Sequence, residues 1–89
     1  MNKQELNQLR QQAHALKPVV MIGSHGLTDA VHHEIDCALE SHELIKIKIQ
    51  TNDRDLVKSL SNAICEKHQA SLVQQIGHVV VVYRANPDY

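Results

Sequence analysis

A short apolar run, Val19-Val20-Met21-Ile22, meets a glycine and hands over to a helix through Gly23-Ser24-His25-Gly26-Leu27-Thr28. This handover constrains the fold more than any other feature of the chain. A run of apolar residues that stops at glycine reads as a short buried strand ending in a tight turn. Thr28 is a good N-cap, and Asp29 stands in the first helical turn, where a negative charge suits the helix dipole. A strand passed to a helix in this way calls for a second strand to complete a β-α-β unit. The turn itself is of the G-x-x-G kind. Glycine allows a tight backbone and the close approach of another molecule. A helix start also offers unpaired N–H groups to an anion such as phosphate. The same residues serve equally as a plain strand-to-helix turn with no ligand.

The rest of the chain supplies the partners. Leu6, Leu9, Ala13 and Leu16 recur at helical spacing, so residues 3–15 read as an amphipathic helix that ends before Lys17-Pro18. Val31, Ile35, Ala38, Leu39 and His42 share one face of the second helix, which runs to about His42. Leu44-Ile45-Lys46-Ile47-Lys48-Ile49 alternates with period two. This places Ile45, Ile47 and Ile49 in the core and turns Lys46 and Lys48 the other way. Asn52 or Asp53 caps a third helix over about residues 54–68, with Leu56, Leu60, Ala63, Ile64 and Lys67 along its stripe. Residues 71–76 form a strand, Gly77-His78 a hairpin turn, and residues 79–83 a last strand. Its four consecutive valines imply burial on both faces or a central position. Residues 85–89 read as a loose tail.

The order is thus α-βαβαββ, a single α/β domain over residues 1–89 built as a two-layer sandwich on a mixed four-stranded sheet. Right-handed crossovers place the second and third helices on the same face. The opposite face presents Lys46 and Lys48, and whether the first helix covers part of it is not legible in the pattern.

Composition excludes several functions. Trp and Phe are absent and the only aromatics are Tyr83 and Tyr89, so a platform that stacks bases on aromatic rings is nearly ruled out. The net charge of −1 argues against a strong general polyanion binder. Its distribution is uneven, however. Residues 27–43 carry Asp29, Glu34, Asp36, Glu40 and Glu43 without a lysine or arginine, whereas the remainder carries nine basic residues against five acidic ones. Cys37 and Cys65 do not make a disulfide framework. The polar start, without a signal-like stretch, and the absence of a long apolar run suit a reducing cytoplasm and no membrane.

The basic residues admit two readings. Lys17, Lys46, Lys48 and Arg84 lie on or beside strands, and can position phosphates next to the glycine turn or simply solvate an open sheet face. Arg54 reads as a short-range partner of Asp53 or Asp55. His33 and Cys37, four apart, and Cys65 and His68, three apart, do not match a compact zinc motif. They read as free thiols and surface imidazoles, with no metal and no cofactor. No nucleophile sits on an elbow, and His32-His33-Glu34 lacks the H-E-x-x-H spacing, so no enzyme activity is expected.

Several of these pieces together resemble the CRM domain of the YhbY type, a stand-alone bacterial RNA-binding form. They are Leu16-Lys17-Pro18-Val19-Val20, the Gly23–Thr28 stretch, His42-Glu43-Leu44-Ile45-Lys46-Ile47-Lys48, Asp53-Arg54, Gln75-Ile76-Gly77 and Val82-Tyr83-Arg84. The resemblance implies a fold similar to the C-terminal domain of translation initiation factor 3, with strand order 1-2-4-3. It also implies that the loop Gly23, Ser24, His25 and Gly26 touches RNA. The partner it implies is ribosomal RNA in precursors of the large ribosomal subunit, with a role in their assembly; the alternatives are a general RNA chaperone or RNA-dependent regulator, and a protein whose acidic helix docks a basic ribosomal protein. Many family members carry Lys in this loop and a basic tail. This chain has Ser24 and His25 in the loop and ends Asn-Pro-Asp-Tyr.

Overall fold

Around the central alternation the chain builds one sheet. The computed structural model describes residues 2–86. Its elements are α1 (Lys3–His14), β1 (Pro18–Ile22), α2 (Asp29–His42), β2 (Leu44–Ile49), α3 (Arg54–His68), β3 (Ser71–Ile76) and β4 (Val79–Tyr83). The strand order is β1-β2-β4-β3. β1 runs parallel to β2, and β4 pairs antiparallel with both β2 and β3. The valine-rich strand is therefore central, as its composition requires.

Each helix begins at a residue able to cap it. Asn2 accepts from Glu5 N–H at 2.8 Å, and Thr28 Oγ1 accepts from Val31 N–H at 3.2 Å. Asp53 Oδ1 accepts from the N–H groups of Asp55 and Leu56 at 3.0 and 3.3 Å. These bonds satisfy donors that the helix cannot satisfy itself.

Ile45, Ile47 and Ile49 are buried with Val20, Ile22, Val80 and Val82 beneath Ile35 and Leu39 of α2 and Val57 and Ile64 of α3. Full burial of one such side chain stabilises by about 1.5–3 kcal/mol. The sheet with α2 and α3 forms the expected two layers. The opposite face is not left open, because α1 lies on it as a partial third layer. Ala13 is buried against Leu44, Val73 and Val81, with Leu6, Leu9 and Tyr83 packed around them. Arg10 Nε also donates to the Val73 carbonyl at 3.2 Å. Lys46 and Lys48 share that second face, half-buried and exposed respectively.

Three expectations need correction. Of the expected α3 stripe, Ile64 is buried and Leu60 packs against the core, but Leu56, Ala63 and Lys67 are exposed, and Val57, Ser61 and His68 complete the buried face. This face can hold two polar residues because both are satisfied inside: Ser61 Oγ donates to Val57 O at 2.7 Å, and His68 meets His32. On α2, His42 is exposed and the stripe ends at Leu39. The tail is anchored as far as the description extends. Asn86 N–H donates to Glu43 Oε2 at 2.6 Å and Asn86 Nδ2 to Glu40 O at 3.1 Å. Residues 87–89 lie outside the described residues. Among the described residues no helix is long and apolar enough to cross a membrane.

Candidate nucleic-acid interface

β1 delivers the chain to the glycine turn at one end of the sheet. Gly26 N–H donates to Gly23 O at 3.1 Å and closes a four-residue turn with Ser24 and His25 exposed at its tip. Gly26 has φ +71°, a conformation that costs a side-chain-bearing residue about 1–2 kcal/mol. A Cβ there would meet nothing within 4 Å, so the requirement for glycine comes from the backbone and not from crowding. Gly23 is different. A Cβ on it would lie 3.9 Å from Gln50 Oε1, an ordinary contact. The free protein therefore does not need glycine at position 23. Thr28 N–H donates to Gly26 O at 3.1 Å, so the turn runs straight into the capped start of α2.

The basic residues separate into two groups. In the sheet register Lys46 stands beside Pro18 and Lys48 beside Met21, so both flank β1 on its way to the turn. Lys17 precedes β1, at the end of the strand away from the turn. No lysine among the described residues is held in an ion pair. Arg84 follows β4 at the opposite end of the sheet, and its guanidinium is engaged. It donates to Asp36 Oδ1 at 2.9 Å, to His68 O at 3.2 Å and to Asp36 O at 3.4 Å. Lys48 thus lies near the glycine turn, Lys46 and Lys17 lie toward the start of β1, and Arg84 is tied to α2 and α3.

Around Arg84 the polar groups serve one another. His68 is only 7% exposed. Its Nε2 lies 3.0 Å from His32 Nδ1, and its Nδ1 lies 3.7 Å from Asp36 Oδ1. The Arg84 hydrogen bond holds the Asp36 carboxyl below its ordinary range. Burial lowers the His68 pKa, and the nearby His32 pushes the same way against the pull of Asp36. His68 is thus an interior group, not the surface imidazole expected. Cys65 is half-buried against the core, and burial pushes its thiol up. Cys37 Sγ lies 3.6 Å from His33 Nε2 on the surface of α2. The described residues hold no group of three or more His, Cys, Asp or Glu placed to share a metal ion.

Sequence reasoning missed the apolar neighbours of the lysines. Val19 and Met21 on the edge strand are 53% and 52% exposed, and Leu16 is 37% exposed. The run was expected to be a buried strand, but only Val20 and Ile22 are buried, because alternation turns Val19 and Met21 onto the opposite face of the sheet.

The comparisons with known proteins give the family and match the fold. The CRS1 / YhbY (CRM) domain family matches residues 1–84. The chain belongs to that family. This CRM domain is 47% identical over 76 residues to a Haemophilus influenzae protein named "RNA-binding protein", a match that covers 85% of this chain and 77% of that one. It is 38% identical over 87 residues to a Pseudomonas aeruginosa protein named as a probable RNA-binding protein, covering 98% and 84%. The solution structure of a hypothetical protein from Staphylococcus aureus superposes on the CRM domain with a TM-score of 0.85 at 34% identity, covering 97% of this chain and 90% of that one.

Proposed function

We propose that this CRM domain is an RNA-binding protein that associates with precursors of the large ribosomal subunit and assists their assembly without catalysing a reaction. The observation that carries the reading is the Gly23–Gly26 turn. It is exposed, closed by its own hydrogen bond and joined to a capped helix start. A phosphate at this point meets backbone N–H groups and the positive end of α2. The relatives' names support RNA as the class of partner. The loop offers Ser24 and His25 in place of a lysine. Affinity then rests on several modest contacts, with Lys17, Lys46 and Lys48 as phosphate-positioning groups. Such a binder suits a large particle with many contacts better than free RNA.

Gradient sedimentation of cell extract tests this reading, with crosslinked RNA sequenced from each fraction. The expected result is a peak with immature large subunits and ribosomal RNA in the crosslinks. An even spread over bulk RNA would point instead to a general RNA chaperone. A second reading, docking of a basic ribosomal protein on α2, draws less support. Asp36 is bonded to Arg84 and Glu43 to Asn86, so part of the acidic row already has partners within the molecule.

A further inference from the structure

At the start of β1, opposite in the strand to the glycine turn, a second feature has no assigned role. It is a groove of about 380 Å³ between the end of α1 and the first residues of β1 and β2. Leu44 and Ile45, both nearly buried, are among its lining residues, together with Leu16 and the outward-facing Val19. Lys17 and Lys46 also line it, and no carboxylate does. This contrasts with the larger cavity beside Arg84, about 750 Å³, where Asp36 and Glu40 offset the cations.

We propose that this groove takes an unstacked nucleobase, and that RNA runs from it as a single strand along β1 to the glycine turn. The proposal rests on the RNA-binding reading above and adds a second site to it. Three observations carry it. First, the groove joins an apolar interior to two cations, and a nucleotide joins an apolar base face to an anionic phosphate in the same way. Second, Gln12 also lines the groove, and its amide can both donate to and accept from a base edge. Third, the track from groove to turn is continuous. β1 spans five residues, about 16 Å at 3.3 Å per residue. Along it the exposed Val19 and Met21 are flanked by Lys46 and Lys48. A duplex keeps its bases stacked and paired, so it cannot fill the groove. The chain thus replaces the missing aromatic platform with aliphatic surface.

The test measures fluorescence anisotropy of the full chain with a short mixed-sequence RNA, free and annealed to its complement. The variants are Leu16→Gln with Val19→Thr, Lys17→Gln with Lys46→Gln, and Ser24→Asp with His25→Asp. Circular dichroism and thermal melting confirm that each is folded. The expected result is preference for the single strand, and about a tenfold loss, equivalent to 1.4 kcal/mol, in the Leu16/Val19 variant with its salt dependence unchanged. The Lys17/Lys46 variant should lose affinity and flatten the salt dependence by about one unit per phosphate contact removed. A thiouridine-substituted strand should crosslink to the peptide containing Leu16 to Val19. Equal affinity for the duplex, or wild-type affinity in a folded Leu16/Val19 variant, overturns the groove assignment. If the loop variant still loses binding in that case, the RNA-binding reading survives alone. If the groove variant instead sheds a protein from the particle while RNA affinity holds, the groove belongs to that protein and the proposal falls. No binding of either RNA by the wild-type chain overturns the groove assignment, and the particle reading then stands or falls on the sedimentation test.

Discussion

The two ends of the sheet treat the same kinds of residue in opposite ways. At the Arg84 end a guanidinium, a carboxylate and two imidazoles bind one another across α2, α3 and β4. At the glycine-turn end Ser24, His25 and Lys48 face solvent. The first arrangement joins three elements and takes its charges out of circulation. The second leaves hydrogen-bonding capacity for another molecule. Residue type does not separate the two: Arg84 and Lys48 were equal candidates in the sequence, and only packing tells them apart.

Substitutions at each end should break the molecule in different ways. The largest effect is expected from Ser24→Asp with His25→Asp. Two carboxylates at the turn should repel phosphate and abolish co-sedimentation with large-subunit precursors, while the exposed positions leave thermal stability nearly unchanged. Wild-type co-migration of this variant would take the turn out of the interface. Arg84→Met should do the reverse. We expect a loss of about 1–2 kcal/mol in urea unfolding, at the lower end for charged hydrogen bonds because Asp36 is half-exposed, with RNA affinity retained. A matching fall in affinity of the folded variant would show that the two ends are coupled.

Gly26→Ala should cost about 1–2 kcal/mol through its positive φ. Gly23→Ala should cost under about 0.5 kcal/mol, because its site tolerates a Cβ, and yet weaken RNA binding if the RNA backbone lies against it. A Gly23→Ala variant that binds like wild type would place the RNA backbone farther from the turn.

The smallest effect is on pH dependence. His68 has a lowered pKa in the fold, so the unfolded chain binds more protons as the pH falls below about 6.5. Its contribution to stability is complete above that pH and declines below it. Asp36, also lowered from 3.8, adds a second decline at more acidic pH. His68→Gln should remove the first decline and leave the second, as followed by urea midpoints across the acid range. An unchanged profile would move the titration to another group.

Local patterns were the legible part of this fold. The alternation over residues 44–49, the hairpin glycine with φ +57° and the capped starts of α2 and α3 follow rules that act within a few residues. The face of α3 was not legible, because Ser61 and His68 count as surface residues until their partners on the same helix and on α2 are known. The seat of α1 was half legible. Leu44 shares its face with Lys46 and Lys48, and an apolar residue there calls for cover, but nothing local says which helix supplies it. In the candidate site, the turn and its helix were readable from spacing. The groove was not, since it forms only when the end of α1, β1 and β2 come together.

The central place of β4 has a consequence for how the domain is made. β4 is the last of the described strands, yet it lies between β2 and β3 and is the neighbour through which β3 joins the sheet. Until residues 79–83 have been synthesised, β2 has an unpaired edge and β3 has no place in the sheet. Side chains such as Ile45 and Ile47, which face β4 residues in the register, lack that neighbour. Closing a sheet through contacts so distant in sequence is slow compared with helix formation. The domain therefore completes its fold only after its final strand emerges, and the nascent chain carries an exposed strand edge until then.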